Sequence, residues 1–299
     1  MKNFKFAVFL VLFSLLTFGC NQTNGEEKIS KVNTVENKSG FTYAQFNAFN
    51  FGESKVKSTI KMPNKSFEIP TIEAMARLLK DFDIISIQEV STGPWGGKAV
   101  AKLLDSLNRL GAPWDYLLSD PTQGPGTERF VTIFRKDKFD GIHNKSALLS
   151  ELDSGVNREP FHSVLKEKKT GKYVHIYSFH LQPKSKDPKS ELQAIANGLD
   201  AFEKQNVIVS GDFNLGHKDT DVVFEKVFGL IHHFEEKTSL KTKVVKGNYK
   251  LKEYDNIYTS TDIKVMNRGV LDFVGIIGNL DEARKISDHL IPWIRFELK

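Results

Sequence analysis

Nine apolar runs rich in β-forming residues recur from residue 41 to the C-terminus, and they restrict the fold more than any other feature of the chain. Several are almost continuously hydrophobic, which is typical of strands that are buried on both faces. Helical patterns lie between some of the runs, at 69–82, 97–110 and 187–205. This mixture predicts an α/β domain rich in sheet, with its helices on the outside. The nine runs are 41–49, 82–90, 114–119, 129–135, 161–168, 172–181, 206–213, 255–260 and 291–298.

The first 40 residues differ in composition from the rest. Residues 1–20 carry two lysines and then an apolar run at 6–18, which is shorter than the roughly 20 residues of a transmembrane helix. Residues 21–40 are polar and contain no aromatic residue, which is typical of a flexible tether. The sequence therefore predicts a signal peptide at 1–20, a tether at 21–40 and one folded domain at 41–299.

Cys20 is the single cysteine of the 299 residues. One cysteine excludes an intramolecular disulfide and any four-cysteine zinc site. Its place directly after Gly19 and the apolar run resembles a bacterial lipoprotein signal, in which Cys20 becomes the lipid-bearing N-terminus. We therefore expect a protein anchored to the membrane of the cell envelope through lipidated Cys20, facing the periplasm or the cell surface. The alternative is an ordinary secretory signal with an incidental cysteine, which would release a secreted protein.

Polar residues of one chemical kind lie at the ends of the predicted strands or just beyond them, where binding and catalytic groups are commonly mounted. They are carboxylates, amides and two histidines. Carboxylate and amide oxygens suit Mg²⁺, Mn²⁺ or Ca²⁺, and two histidines can act as general base and general acid near neutral pH. In-line hydrolysis of a phosphodiester would use all of these parts. The set comprises Asn47, Glu89, His180, Asp212, Asn214, Asp255, Asp288 and His289.

Five short motifs follow one another at these positions, and in this order they resemble the endonuclease/exonuclease/phosphatase superfamily. The five are FNAFNFGE (46–53), QEV (88–90), HLQP (180–183), GDFN (211–214) and SDH (287–289). Three further segments resemble the deoxyribonuclease I branch, namely ERF (128–130), NREP (157–160) and YDNI (254–257). The resemblance covers 41–299. It implies a four-layered α/β sandwich, in which helices flank two packed mixed β-sheets, and a metal-dependent deoxyribonuclease.

The resemblance implies a catalytic pair of histidines. His180 and His289 would be the acid–base residues, with Glu128 orienting the first ring and Asp255 the second. Each carboxylate would hold one tautomer of its histidine and support the charged form. Two adjacent histidines among the remaining six are not expected to share a metal, because neighbouring side chains diverge on a strand or a helix. The six match no motif and are assigned to surface or core: His143, His162, His175, His217, His232 and His233.

A metal site and a phosphate site follow from the same resemblance. Glu89, with Asn47 and Asp288 nearby, would hold a divalent cation. Mg²⁺ is the expected ion, with Mn²⁺ or Ca²⁺ as alternatives. Asp212 and Asn214 would support the scissile phosphate and the metal, and they complete the catalytic set.

DNA is the partner that the resemblance implies, through its phosphate backbone. Arg158 and Arg129 would contact phosphates, because a guanidinium fork bonds two oxygens at once. The formal net charge of +5 does not by itself indicate nucleic-acid binding, and the lysine-rich stretch 239–252 is either a DNA-facing loop or a solvated face. Ser91 and Gly126 stand where the relatives carry an arginine and a tyrosine for the minor groove, which puts a preference for duplex DNA in doubt. No protein partner is implied, and we expect a monomer.

Two alternatives keep the fold but change the function. The first is another phosphodiesterase or phosphatase of the superfamily, similar to the sphingomyelinases or the inositol-phosphate phosphatases. The NREP and ERF segments argue against it, as does the expected absence of a long exposed apolar hairpin for lipid entry. The second is a surface lipoprotein that binds a ligand without catalysis. A pure binder has no need of two histidines with orienting acids, which argues against this alternative.

Overall fold

Two large β-sheets form the centre of the computed structural model, which describes residues 39–63, 67–152, 155–199, 202–203 and 205–299. The expected signal peptide with Cys20, and the tether up to residue 38, lie outside the described residues. The lipoprotein hypothesis therefore stays a prediction. None of the helices in the described ranges combines the length and the hydrophobicity that a bilayer crossing requires.

The first large sheet has six strands in the order β16-β17-β1-β4-β6-β5. β1 and β4 run parallel, and all other neighbours in this sheet are antiparallel. The strands are long and apolar because both faces of the sheet are covered. They are β1 (Phe41–Phe51), β4 (Ile84–Val90), β5 (Trp114–Leu118), β6 (Arg129–Arg135), β16 (Ile263–Leu271) and β17 (Ile291–Leu298).

The second large sheet has the order β12-β15-β11-β10-β9-β7, with β8 paired to β9. β10 and β11 run parallel, and the other pairs are antiparallel. Its strands are β7 (Phe139–Gly141), β8 (Ala147–Leu148), β9 (Phe161–Glu167), β10 (Tyr173–His180), β11 (Val207–Asp212), β12 (Ile231–His232) and β15 (Asp255–Thr259). Each large sheet therefore contains one parallel pair.

Two small antiparallel pairs lie outside the large sheets. The first joins β2 (Thr59–Lys61) to β3 (Glu68–Pro70). The second is a hairpin of β13 (Leu240–Val245) and β14 (Asn248–Lys250), which falls within the lysine-rich stretch. That stretch is thus a two-stranded projection rather than an open loop.

Helices connect many of the strands. The largest difference from the predicted bounds is at the C-terminal end of the third predicted helix. The third predicted helix, at 187–205, ends at Gly198, because Leu199 is already extended. Its start agrees with prediction, since Asp187 caps the helix by accepting a hydrogen bond from the Ser190 backbone. The helices are α1 (Glu53–Lys57), α2 (Thr71–Leu79), α3 (Pro94–Arg109), α4 (Pro188–Gly198), α5 (His217–Phe224), α6 (Phe273–Ile277) and α7 (Leu280–Ile286).

Three apolar clusters show how the layers pack. Side chains from both sheets, among them Tyr43 and Ile176, meet in the cluster between the sheets. On the outer face of the first sheet the cluster includes Met75 of α2 and Leu103 of α3. On the outer face of the second sheet it includes Leu192 of α4. The order of layers is helix, sheet, sheet, helix, so the predicted four-layered α/β sandwich is confirmed.

Candidate active site

The carboxyl ends of four central strands meet at one edge of the sandwich. Strands of a parallel pair end on the same side, and each large sheet contributes one such pair. Asn47 is in register with Gln88 in the first sheet, and His180 with Asp212 in the second. The Nδ2 atom of Asn47 donates a 3.0 Å hydrogen bond to Oδ2 of Asp212, so the two pairs end together across the sheet interface. We call this edge the catalytic edge.

His180 is held by the carboxylate of Glu128 at the catalytic edge. Its Nδ1 lies 2.9 Å from both carboxylate oxygens, and Glu128 stands directly before β6. Its Nε2 lies 3.7 Å from Oδ2 of Asp212. Burial disfavours the imidazolium, but the charges of Glu128 and Asp212 outweigh burial and raise the pKa of His180 above its ordinary value. The predicted partnership of these two side chains is therefore present in the structure.

His289 has the same arrangement with a different acid. Its Nδ1 lies 2.6 Å from Oδ2 of Asp255, and its Nε2 lies 3.5 Å from Oδ2 of Asp212. Burial again opposes the charged ring, but Asp255, Asp212 and Asp288 raise the pKa of His289 to about 10. Two histidines thus present their Nε2 atoms to one shared carboxylate.

Asp212 is the centre of this arrangement. Besides the bond from Asn47, its Oδ1 accepts a 2.9 Å hydrogen bond from the backbone N–H of Asn214. Asn214 is itself fixed, because its Nδ2 donates to the Leu181 carbonyl at 2.9 Å. Asp212 is only 2% exposed, so its charge acts on both histidines with little screening by solvent. The predicted catalytic residues therefore surround one small, negatively charged space.

The residues predicted to bind a metal lie at the same edge and offer oxygen ligands of the kind that a divalent cation takes. Glu89 is half-buried, and one of its oxygens accepts a 2.7 Å hydrogen bond from the Asn50 backbone. The Oδ1 atom of Asp288 is buried and has no hydrogen-bond partner within the described residues. Oδ1 of Asn47 accepts one bond, from the Phe49 backbone at 3.0 Å, and has a second lone pair. These oxygens are the donors that Mg²⁺ or Ca²⁺ prefers.

A buried cation, Lys55 of α1, lies beside these acids, and the sequence patterns did not single it out. Lys55 is 3% exposed, and its Nζ donates a 2.8 Å hydrogen bond to the carbonyl of Lys285. Burial lowers the pKa of Lys55 to about 8, against the opposing charges of Asp288 and Glu89. The negative charges of Asp288 and Glu89 therefore act on Lys55 and favour its protonated form.

The backbone is strained at the catalytic edge. Phe49, Asn50, Glu89 and Asn214 all have positive φ angles, of 47°, 56°, 63° and 50°. Such conformations cost on the order of 1–3 kcal/mol each and persist where the surrounding structure enforces them. The pairing of β1 with β4 shifts register between Asn47 and Phe51, and this irregularity lies beside the strained residues. The positive φ of Glu89 coincides with a second register shift, in the pairing of β4 with β6 between Ile87 and Val90.

The two predicted DNA-contacting arginines have different surroundings. Arg158 lies against the His180 side of the site, where its Nε is 3.4 Å from Glu128 and its Nη1 is 3.3 Å from the Leu181 carbonyl. The guanidinium of Arg129 instead donates to the Ser119 carbonyl at 2.7 Å. No described contact joins Arg129 to the cluster. Successive residues along a strand face opposite sides, which turns Arg129 away from Glu128.

Three polar side chains support the site without having been predicted. The Oγ1 atom of Thr238 donates a 2.6 Å hydrogen bond to Asp255, and Nε2 of Gln45 donates to the other oxygen of Asp255 at 3.2 Å. Ser287 accepts a bond from the His289 backbone at 3.0 Å and donates to the Asn47 carbonyl at 2.6 Å. Ser287 lies within the SDH motif, so a signal for it existed. Thr238 and Gln45 carry no sequence signal, because their role depends on strand neighbours.

Comparison with known proteins identifies the fold. No protein-family model matches the chain, and no curated protein matches its sequence significantly. An endonuclease/exonuclease/phosphatase protein from Bacteroides vulgatus superposes with a TM-score of 0.61 at 16% identity, covering 88% of this chain and 100% of its own. ANGEL2, a 2′,3′-cyclic phosphatase solved with adenosine-2′,3′-vanadate, gives 0.60 at 17% identity, covering 88% and 97%. D. rerio TDP2, solved with a single-stranded DNA product, gives 0.57 at 14%, covering 87% and 100%.

These similarities cover 87–88% of the chain. Identities of 14–17% show a common fold and leave the activity of this chain to be argued from its own residues. The fold that the motif resemblance implied is thus confirmed. Membership of the deoxyribonuclease I branch remains a prediction. The protein has the deoxyribonuclease I-like fold that endonuclease/exonuclease/phosphatase proteins share.

Proposed function

We propose that the protein is a divalent-metal-dependent phosphodiesterase that cleaves DNA as an endonuclease outside the cytoplasm. The observation that carries the proposal is the convergence of two buried histidine–carboxylate pairs on one acid. The Nε2 atoms of His180 and His289 lie 3.7 and 3.5 Å from the same oxygen of Asp212. Two proton-transfer groups therefore border one small space, as hydrolysis by acid–base catalysis requires.

The charges around the two histidines favour different roles for them. Burial and the positive charge of Arg158 both oppose the charged form of His180, although Glu128 and Asp212 outweigh them and raise its pKa above the ordinary value. His180 is therefore the ring of the two whose protonated form a neighbouring cation opposes. Asp255, Asp212 and Asp288 all favour the charged form of His289, which can donate a proton to the leaving oxygen. We therefore assign His180 as general base and His289 as general acid.

The catalytic edge has the residues to hold a divalent cation, with Mg²⁺ the expected ion and Mn²⁺ or Ca²⁺ the alternatives. When bound, the cation would polarise a phosphoryl oxygen and neutralise developing charge. Glu89, Asp288 and the amide oxygen of Asn47 would hold it. The Nδ2 atom of Asn47 meanwhile keeps Asp212 oriented, so one side chain serves the metal side and the histidine side.

A cavity beside the site favours a substrate longer than a single phosphate. It has a volume of about 350 Å³ and reaches outward from Asn214, between Lys184, Lys252 and Tyr254. Its lysines can contact phosphates that flank the scissile bond, and the tyrosine ring offers a surface on which a base can stack. Acidic side chains also line it, among them Glu253, which limits the strength of anion binding. DNA, held by its phosphate backbone, supplies such a substrate.

The proposed location is outside the cytoplasm, with Cys20 as the lipid attachment point of a bacterial lipoprotein. The leader at residues 1–20 supports this part of the proposal. A secreted protein is the alternative. We propose a monomer with no protein partner.

A lipid phosphodiester is the second candidate substrate, because the hairpin of β13 and β14 carries exposed apolar residues. Val244 and Val245 are 54% and 53% exposed, and lysines flank them in the sequence. The hairpin adjoins the site, since Ser239 pairs with His289 just before β13 begins. The sequence led us to expect no long apolar hairpin, and this one is short, so DNA remains the preferred substrate.

A substrate panel tests the proposal. The purified domain from residue 26 is incubated with plasmid DNA, single-stranded DNA, sphingomyelin vesicles and inositol phosphates, with Mg²⁺ plus Ca²⁺ and with EDTA. We expect plasmid nicking that EDTA and the His180→Ala substitution abolish. His143→Ala is the matched control, because His143 is exposed and outside the site. Turnover of sphingomyelin or inositol phosphates without cleavage of DNA would contradict the proposal that DNA is the substrate. No turnover of any of these substrates would contradict the proposal that the protein is an enzyme.

A further inference from the structure

A second group of metal-ligating side chains lies on the outer face of the second sheet. Asp221 and Glu225 lie one turn apart at the end of α5, and His232 lies in the edge strand β12. One ligand atom from each of the three lies within 4.8 Å of the others. Tyr258 beside them faces the outer cluster of this sheet, whereas Asp255, three positions earlier in β15, faces the catalytic edge. The group is therefore separate from the catalytic residues.

Hydrogen bonds orient each of the three side chains and leave one ligand atom of each free. The Tyr258 hydroxyl donates to Oδ1 of Asp221 at 2.7 Å, while Oδ2 of Asp221 faces Nδ1 of His232 at 3.8 Å. The His232 backbone donates to Oε1 of Glu225 at 3.2 Å, which leaves Oε2. Nε2 of His232 lies 2.5 Å from the Phe234 carbonyl and 2.8 Å from Nδ2 of Asn256. Because a carbonyl oxygen can only accept, the shorter contact assigns the ring proton to Nε2. That tautomer leaves the Nδ1 lone pair open, the usual arrangement behind a metal-bound histidine.

The two acids form no ion pair with a lysine or arginine in the described part of the chain. Like charges four residues apart destabilise a helix. A cation bound between Asp221 and Glu225 would neutralise the repulsion between these two charges.

We propose that Asp221, Glu225 and His232 bind a Zn²⁺ ion that ties the end of α5 to strand β12. One imidazole and two carboxylates suit Zn²⁺ better than Mg²⁺, which prefers oxygen ligands alone. Glu225 is exposed, so the ion enters from solvent and keeps water as its remaining ligand. The adjacent His233 takes no part, because its Nε2 bonds Thr259 at 2.9 Å. The ion stabilises an edge strand of only two residues.

Zinc titration tests this site. The protein is held in excess Mg²⁺, and Zn²⁺ is measured by competition with a chromogenic chelator. We expect one Zn²⁺ per chain, with affinity reduced at least about tenfold in Glu225→Gln and His232→Ala. Zn²⁺ should also raise the melting temperature of the unsubstituted protein by about 5 °C and leave that of Glu225→Gln unchanged. Asp219→Asn is the control, because Asp219 lies on the same helix but is already paired with Lys189 at 2.6 Å.

Two outcomes would overturn the proposal. Equal zinc affinity in the unsubstituted protein, Glu225→Gln and His232→Ala is the first. The second is zinc binding that is lost in Glu89→Gln and kept in His232→Ala, which would place the ion at the catalytic edge. Because Glu225 is exposed, its substitution leaves the fold intact even if the His232 variant fails to fold.

Discussion

Two histidine sites in this molecule, one buried and one half-buried, differ in the direction in which their pKa values are shifted. At the catalytic edge, Nδ1 of His289 lies 2.6 Å from Asp255, and the nearby acids raise its pKa to about 10 in spite of burial. Between β9 and β10, Nε2 of His162 lies 3.0 Å from Nδ1 of His175, and burial together with the second ring lowers the pKa of His162 to about 4. Burial acts in the same direction at both sites, so the carboxylate decides which ring carries a proton.

The difference teaches that burial of a histidine is not a sign of catalysis. His162 stacks on Tyr177, with ring centres 4.2 Å apart, and its bonding capacity is used within the sheet. His289 keeps Nε2 directed at the shared acid Asp212. An acid on Nδ1 together with an Nε2 directed at Asp212 distinguishes His180 and His289, the proposed catalytic histidines, from His162.

The largest expected effect is on turnover. His180→Ala and His289→Ala should each lower kcat by about 10²–10⁴-fold on the substrate that the panel identifies, because each removes a proton-transfer group. His162→Gln should change kcat by less than about twofold, because His162 contacts His175 and Tyr177 rather than the residues of the catalytic edge. Steady-state kinetics on the three variants makes the measurement. A comparable loss in His162→Gln would remove the distinction between the two sites.

A smaller effect is expected when the acid behind one histidine is neutralised. Asp255→Asn leaves the shape of the side chain but removes the charge that supports the imidazolium of His289, so kcat should fall about 10²-fold. The pKa of His289 should fall as well, which a pH–rate profile and histidine NMR signals would show. Thr238→Val, which removes only a hydrogen bond to Asp255, is the milder control. An unchanged profile would mean that Asp255 does not set the charge of the ring.

Substitution of the two arginines should change DNA cleavage by different but smaller factors than substitution of the histidines or of Asp255. Arg158→Ala should lower kcat/KM on DNA about tenfold and reduce the salt slope of binding by about one, as for the loss of one phosphate contact. Arg129→Ala should have little effect on cleavage, because its guanidinium bonds the Ser119 carbonyl, away from the histidines, whereas that of Arg158 lies beside Glu128 and the Leu181 carbonyl. Kinetics at several salt concentrations measures both. Equal effects of the two substitutions would contradict the arrangement at the catalytic edge.

The smallest effect is expected on the free energy of unfolding. The contributions of His289 and His162 to it should depend on pH in opposite directions. The folded pKa of His289 is raised from 6.5 to about 10, so its contribution is complete below pH 6.5 and is lost as pH rises toward 10. The folded pKa of His162 is lowered from 6.5 to about 4, so its contribution holds above pH 6.5 and is lost as pH falls toward 4. Urea unfolding across pH, in EDTA, should show Asp255→Asn flattening the alkaline side and His162→Gln the acidic side. The reverse pattern would be inconsistent with both assignments.

Most of the fold was predictable because the hydrophobic pattern marks each buried strand. All nine predicted runs correspond to strands, and the three predicted helices exist, although the third ends at Gly198. The short strands β2, β3 and β12 were not predicted, because they are held by neighbours rather than by a pattern of their own. The nine-residue edge strand β16 was also missed, because most of its residues are not buried. Hydrophobic periodicity reports which face is buried, but it does not report which strand lies alongside.

The sequence alone predicted the class of fold and placed most site residues at or near strand ends, while the leader at residues 1–20 stays a prediction. Only the tertiary structure decided which groups meet at those strand ends. Glu128 and His180 are 52 residues apart in sequence, and Asp255 and His289 are 34 apart, yet each pair is in contact. Strand order and register bring them together, and Asp212 lies between both pairs for the same reason. Contacts between distant residues depend on how strands are arranged in space, which local preference along the chain does not specify.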